Sequence, residues 1–250
     1  ANALLGRVAL TFKHYEDAKT ALENAMNNTH FGMEKTTADV FNVSNKQNKE
    51  VIFAVRYNKT ANLGHGAWYA TTNPATATNP TVQLTSAYSA SDNRAQLLAW
   101  TKMTTGNNYA MNKWYDTYDA TYTTVVGNDF VLLRYADVVL MYAEALNESG
   151  RSSDALPYLN LTRHRANLKN LTTEDISTQA QVRKAILDER QCEFAYEGHR
   201  WFDLVRMGYA VDHFTALGYT IDEHNLIMPI PNDQLEVVGD ENIMWQNAGY

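Results

Sequence analysis

From Asn2 to Asn27 the apolar and small residues recur at helical spacing: Leu5, Val8 and Ala9 form one stripe, and Tyr15, Ala18, Leu22, Ala25 and Met26 form another. His14 to Glu16 falls between them, where a tight turn joining two antiparallel helices fits. Gly6, Ala18, Leu22 and Ala25 have the small–small–large–small spacing of a tetratricopeptide repeat, whose small side chains let the helices approach closely. The texture changes after Asn27. Asn42 to Lys49 is polar, and Glu50 to Tyr57 is a short strand-like run. Asn58 to Asn93, rich in Thr, Asn, Gly and Ala and carrying Pro74 and Pro80, has no sustained period. It predicts a long irregular excursion, the kind of segment in which function concentrates. Ala99 to Asp129 continues in the same style.

Helical order returns at Leu132 to Gly150, where Leu133, Ala136, Val139, Leu140, Ala143 and Leu146 make one apolar face and Gly150 ends it. Ser153 is placed to cap a helix from Asp154 through Ala166. Ala143, Ala155 and Leu159 repeat the spacing of Gly6, Ala18 and Leu22, which predicts a second hairpin of the same kind. Thr173 to Asp175 looks like a helix start. Ala180 to Tyr196 predicts a longer helix with Val182, Ala185, Ile186 and Phe194 inward, joined by Cys192 or Ala195, and ended by Gly198. Arg200 to Arg206 predicts a short helix ending at Gly208, and His213 to Gly218 a further turn. Asn225 to Pro231 should be extended, because residues before proline avoid the helical region. Asn232-Asp233 is expected to cap a short helix through Val237, and Asn242 to Tyr250 has no periodic core face. The predicted fold is mostly α, with helical hairpins, long irregular loops and minor short strands. Three stretches organise it: a helix pair and strand over 1–57, a variable loop region over 58–129, and a helical region with a tail over 130–250.

Composition narrows the function. Of 250 residues, 45 % are hydrophobic, enough for a sizeable core, and a formal net charge of −7 argues against a nucleic-acid partner. No apolar run approaches the length of a membrane span. With Cys192 as its single cysteine the chain forms no intrachain disulfide. The first ten residues already read as the middle of an amphipathic helix, with no initiator Met, which predicts a piece of a longer protein.

Among charged residues, Glu189, Glu193 and Glu197 fall four apart on one helical face and Asp203 follows the Gly198 turn. A glycosidase needs two carboxylates facing across a cleft, about 5–5.5 or 6.5–9.5 Å apart. Same-face carboxylates interleaved with arginines suit ion pairs instead: Arg190 with Glu193, Arg200 with Asp203, and Asp203 with Arg206 are each three apart. Arg134, Asp137 and Glu144, on the strongly apolar helix, are expected to meet the Glu189 to Arg206 segment in a partly buried network. Neither a zinc-type histidine spacing nor a nucleophile or phosphate-loop motif occurs, so no catalytic residue, metal or cofactor is assigned.

The aromatics set in polar loops are the better ligand candidates. Trp68, Tyr69, Trp100, Tyr109, Trp114 and Tyr115, with Tyr88 nearby, stand among Asn, Thr and Asp. A sugar ring offers an apolar face that flat aromatics can cover and a hydroxyl rim that polar neighbours can bond.

Four blocks carry a more specific signal: RYADVVLMYAEALNESG (134–150), LPYLNLTRHRANL (156–168), VRKAILDERQCEFAYEGHRWFDLVRMG (182–208) and the tail NLIMPIPNDQLEVVGDENIMWQNAGY (225–250). Together and in this order they resemble the C-terminal signature of the SusD/RagB family. The first helix pair and EVIFAVRYNK (50–59) resemble its middle region. Departures are local: Gln191 and Cys192 in the third block, Glu241 to Met244, and Asn247-Ala248-Gly249 near the end. The resemblance implies that residues 1–250 are the C-terminal portion of a single SusD-like domain. It further implies a non-catalytic lipoprotein on the extracellular face of the cell outer membrane. Such a protein gathers an oligosaccharide or other nutrient, caps a SusC-like TonB-dependent transporter, and touches the membrane only through a lipid anchor outside this sequence. Two alternatives stand beside it: a helical-repeat scaffold that docks proteins without a small ligand, and a glycoside hydrolase.

Overall fold

The computed structural model describes residues 1–58, 80–98, 100–102, 109–114 and 127–250. In chain order the elements are α1 (Asn2–Thr11), α2 (Tyr15–Met26), α3 (Thr37–Val40), β1 (Val51–Val55), α4 (Val82–Thr85), β2 (Trp100–Lys102), β3 (Tyr109–Met111) and β4 (Phe130–Arg134). They continue with α5 (Tyr135–Glu148), α6 (Ser152–Arg165), α7 (Gln179–Glu193), α8 (Arg200–Arg206), α9 (Ala210–Ala216) and α10 (Asn232–Val238). Among the described residues the fold is mostly α, with two antiparallel two-stranded ribbons, β1–β4 and β2–β3. Two compact units make up the chain, residues 1–199 and 200–250.

In the first unit α5 is the centre. Every residue from Ala136 to Asn147 is buried, as befits a helix enclosed on all sides by α1, α2, α6 and α7. All six residues of its predicted apolar face are in the core. The α1–α2 and α5–α6 hairpins share one construction. Ala18 and Ala155, like Leu22 and Leu159, are fully buried at matching points. A Cβ on Gly6 would lie 2.5 Å from Leu22, so the first hairpin closes against bare backbone. Both first helices also end alike. After α1, the Lys13 and His14 amides donate to the Leu10 and Ala9 carbonyls; after α5, Gly150 and Arg151 do the same to Asn147 and Leu146. This paired closure requires a left-handed residue, and φ is 78° at Gly150 and 60° at Lys13. Lysine pays the Cβ penalty there that glycine escapes. Lys13→Gly is therefore expected to stabilise the protein by about 0.5–1 kcal/mol in urea unfolding; a destabilised variant would refute this account of the turn.

Asn147, buried at the end of α5, joins three helices. Its side chain donates to the Gln179 carbonyl at 3.1 Å and accepts from the Ser152 hydroxyl at 2.7 Å, while Gln179 Nε2 returns a bond to the Asn147 carbonyl.

Several elements differ from the sequence expectation. Leu5 and Val8 are exposed, whereas Ala9 faces inward as expected together with Ala3, Gly6 and Leu10, because the close approach to α2 favours the small side chains of α1. Leu132 and Leu133 belong to β4, since the β1 ladder captures this run before the helix starts at Tyr135. Ser153 is not a cap; α6 starts at Ser152, whose hydroxyl is bound to Asn147. Thr173 to Asp175 forms only a turn, with Asp175 accepting from the Thr172 amide and hydroxyl. The next helix starts after Thr178, whose side chain and Gln181 cap each other reciprocally. It stops at Glu193, before Tyr196 takes φ 64°. In the second unit, α9 begins at Ala210, Asn225 and Leu226 complete a 3-10 turn capped by Asp222, and Pro231 rather than Asn232 precedes α10.

Candidate functional site

Arg134 stands where β4 becomes α5. Val51 is its register partner, and the Tyr135 amide donates 2.8 Å to the Glu50 carbonyl, so the ribbon's end sets Glu50 and Arg134 side by side. Both are buried. The guanidinium forks onto Glu197 through Nε (2.7 Å) and Nη2 (2.8 Å), and Nη1 reaches Glu50 at 2.8 Å and Glu193 at 2.6 Å. Arg165, at the end of α6, bridges Glu50 (2.6 Å) and Glu193 from the other side. Arg94 spans Asp92, Glu189 (2.6 Å) and Glu193 (2.9 Å). Lys113 donates to Glu197 at 2.6 Å and to the Ala195 carbonyl at 2.7 Å. Arg163 lies 3.8 Å from Glu189. The carboxylates of Glu50, Asp92, Glu189, Glu193 and Glu197 thus match the cations of Arg94, Lys113, Arg134, Arg163 and Arg165 in formal charge. The Phe194 ring covers the Arg134 guanidinium at 4.5 Å, and Phe41 lies 4.9 Å from the Lys113 ammonium.

Burial opposes the charges of Glu193, Glu197 and Lys113. At Glu193 it is outweighed by Arg165, Arg134 and Arg94, which hold the carboxyl well below the usual range. At Glu197 it is outweighed by Arg134 and Lys113, again with a lowered carboxyl. At Lys113 burial prevails over Glu197 and pulls the ammonium below the ordinary lysine value.

A second group surrounds Asp137 on α5, where Arg190 Nη1 lies at 2.9 Å and Arg7 Nη2 at 2.6 Å. Burial raises the Asp137 carboxyl, but Arg190, His199 and Arg7 hold it far below the usual range. Arg190 pairs with Asp137, and Glu193 with Arg94, Arg134 and Arg165. Each reaches other elements, because α7 turns both side chains into the core where those partners converge. Glu144 is buried on α5. In the second unit Arg200 opens α8 and Asp203 pairs with Arg206 at 2.9 Å.

This network roots the loop region. Asp92 and Arg94 precede buried Leu97 and Leu98, which lead into β2. Trp100 pairs with Met111 and Lys102 with Tyr109, so Trp100 and Tyr109 stand on adjacent strands of one ribbon. Asn112 Nδ2 then donates 2.9 Å to the Gln96 carbonyl, Lys113 enters the network, and Trp114 is the next residue. A second tie joins the flanks of the region: Lys46 Nζ donates to the carbonyls of Tyr57 (2.7 Å) and Gly127, and Asp129 accepts from the Tyr57 amide at 2.9 Å. Trp68, Tyr69 and Tyr115 lie outside the described residues. Tyr88 is a packing group whose hydroxyl donates 2.8 Å to the Cys192 carbonyl. The Cys192 thiol is buried and pushed up to about 12 by desolvation.

Glu50, Asp92, Arg94, Lys113, Arg165 and Arg7 do not stand out in the sequence. Glu50 and Arg165 are 115 residues apart, and no local spacing links them. The one signal is position: Glu50 directly precedes a strand, and Arg94 and Lys113 are cations in an otherwise weakly charged stretch. An open groove of about 510 Å³ on the outer side of α6, lined by Leu156, Pro157, Leu161 and His164, contains none of the predicted site residues. Among the described residues no group of His, Cys, Asp and Glu is arranged to hold a metal, and no helix is long and apolar enough to cross a membrane.

The fold and site define a helical scaffold with a buried ion network to which Arg94 and Lys113, flanking the β2–β3 ribbon, are bound. The SusD family model matches residues 66–250, and the chain belongs to the SusD family. It is 34 % identical over 133 residues to SusD-like protein P2 of Formosa agariphila, covering 49 % of this chain and 26 % of that one. Against SusD-like protein P25 of the same organism it is 36 % identical over 115 residues, 43 % of this chain and 22 % of the relative. Its fold matches a SusD superfamily protein from Bacteroides vulgatus (TM-score 0.78, 21 % identity) over 100 % of this chain and 62 % of that structure. A laminarin-binding SusD-like protein matches at TM-score 0.74 and 21 % identity, over 100 % and 62 % of the two chains. Surface glycan-binding protein A from Bacteroides thetaiotaomicron, in complex with laminarihexaose, matches at 0.75 and 18 %, over 98 % and 62 %. The chain therefore spans under two thirds of these structures, and its aligned stretches cover about a quarter of the Formosa relatives.

Proposed function

We propose that this chain is the C-terminal portion of a non-catalytic, cell-surface carbohydrate-binding protein that passes its ligand to a TonB-dependent outer-membrane transporter. In this reading the parent protein is held on the extracellular face of the outer membrane by a lipid anchor. The observation that carries the binding role is the β2–β3 ribbon. It bears Trp100 and Tyr109, is followed by Trp114, and is rooted on both legs in a rigid ion network by Arg94 and Lys113. Legs fixed by buried ion pairs lower the cost of ordering a binding site built between them. Trp68, Tyr69 and Tyr115 complete the candidate set, and laminarin binding by structural neighbours makes β-glucan oligosaccharides the first ligands to try. The carboxylates favour binding over hydrolysis. A glycosidase acid needs a raised pKa, whereas Glu193 and Glu197 are held low by the cations bonded to them.

The test is calorimetry against a glycan panel that includes laminarin oligosaccharides, on the wild type and on Trp68→Ala, Trp100→Ala and Trp114→Ala. At least one substitution should weaken binding about tenfold, the loss of one aromatic–sugar contact of ~1.4 kcal/mol, with an unchanged circular dichroism spectrum. Failure of the wild type to bind any glycan, or full binding by all three variants, would overturn this assignment.

A further inference from the structure

Lys113 ends the ribbon in a socket shaped for an ammonium. Only Asn112 separates it from β3. Its Nζ donates to the Glu197 carboxylate at 2.6 Å and to the Ala195 and Glu193 carbonyls at 2.7 and 3.3 Å. Three acceptors meet the three protons of the ammonium, and the Phe41 ring lies 4.9 Å from it. The acceptors come from a single turn. Helix α7 stops at Glu193, the Glu197 amide donates 2.9 Å to the Phe194 carbonyl, and Tyr196 takes φ 64°. Carbonyls at a helix end have no intrahelical donor. Lys113 supplies one from a distant part of the chain. Arg134 forks onto the same Glu197 through Nε and Nη2, so the carboxylate that Lys113 meets is itself fixed.

The other leg is held less directly. Arg94 binds Asp92, Glu189 and Glu193, but the 3-10 turn Ala95–Leu98 stands between it and β2. Asn112 Nδ2 ties the two legs together by donating 2.9 Å to the Gln96 carbonyl. The anchor nearest the ribbon is therefore Lys113, with Asn112 as the cross-tie.

We propose, resting on the glycan reading of the ribbon given above, that Lys113 is a positioning residue of the ligand site. Its ammonium fixes where the β2–β3 ribbon with Trp100 and Tyr109, and the adjoining Trp114, stand, and so sets glycan affinity. At 2 % exposure its side chain acts through these residues and not on the glycan. Without the ammonium, Arg94, Arg134 and Arg165 still hold the helical body, while the ribbon samples more positions and must be ordered again on binding.

The experiment joins calorimetry to hydrogen exchange of the β2–β3 amides. The probe is laminarihexaose or, if another member of the glycan panel binds the wild type more tightly, that member. Lys113→Met should weaken binding about tenfold and speed exchange in the ribbon while α2 stays protected. Lys113→Arg should recover part of the affinity, since it keeps the charge but brings a planar fork to a three-acceptor socket. Asn112→Ala, which leaves every buried charge in place, should weaken binding about threefold. Leu146→Ala, a core truncation at the far end of α5 from Arg134, should lower the urea midpoint yet keep wild-type affinity and ribbon exchange. Wild-type affinity or unchanged ribbon exchange in Lys113→Met would overturn the proposal and leave the glycan reading standing. An equal loss of affinity in Leu146→Ala would overturn it too, by reducing Lys113 to a contributor to stability. If Lys113→Met does not fold, Asn112→Ala decides: full affinity with wild-type ribbon exchange would overturn the proposal. A wild type that binds no glycan would overturn the glycan reading, and this inference with it.

Discussion

Arg134→Met is expected to destabilise the protein by about 3–5 kcal/mol, a large fraction of the stability of a typical domain. The substitution keeps side-chain bulk but removes the cation that Glu50, Glu193 and Glu197 share. Arg165, Arg94 and Lys113 remain, yet each is already committed to its own carboxylates. The buried network would then carry an uncompensated negative charge, and both hydrogen bonds of the Glu197 fork would be lost. Arg134→Lys should fall between wild type and Arg134→Met, since an ammonium restores the charge but not the fork. The midpoint of urea unfolding at neutral pH reads the effect directly. Adding Glu193→Gln to Arg134→Met should recover part of the loss, because it removes a carboxylate left without its partner. A loss under about 1 kcal/mol for Arg134→Met would mean that the network contributes no more than a surface pair.

Acid should unfold the protein steeply. Glu193, Glu197 and Asp137 are all held below their ordinary values of 4.5, 4.5 and 3.8. For a carboxylate lowered by folding, the stabilisation is complete above the unfolded-state value and disappears as pH falls through the folded-state value. Stability should be level from neutral pH to about 5, decline below 4.5, and keep declining to the lowest pH reached. Because the pairs are buried, 0.5 M salt should change the profile little. Urea midpoints measured from pH 7 to 2.5 give the test, and a midpoint constant down to pH 3 would contradict the charge assignments.

How much of this was legible beforehand depends on the distance over which each interaction acts. The inward face of α5 follows from periodicity alone, and so does the correspondence of Gly6, Ala18 and Leu22 with Ala143, Ala155 and Leu159. Those contacts lie within one helix or across one short turn. Leu5 and Val8 read as core because they are large and apolar, but α1 meets α2 through Ala3, Gly6 and Ala9, where backbone proximity outweighs side-chain size. Leu132 and Leu133 read as helix because the pattern runs unbroken into α5; only β1, some eighty residues earlier, turns them into a strand. Among the ligand candidates, Trp100 and Tyr109 are brought onto one ribbon and Trp114 to its foot, whereas Tyr88 is taken up by packing.

The charges make the division clearest. Arg134, Glu189, Glu193 and Glu197 are conspicuous in the sequence because a helix with an apolar face has no reason to carry them unless something meets them. The sequence by itself therefore determined that a mostly helical body with two matched hairpins would bury charged residues. Which carboxylate meets which cation was decided only by the tertiary structure. Glu50 meets Arg134 and Arg165, and Arg94 meets Glu189 and Glu193, across separations of 84 to 115 residues. The strength of an ion pair depends on distance and on exclusion of water, and both exist only once β4, α6, α7 and the foot of the loop region have closed around the same point.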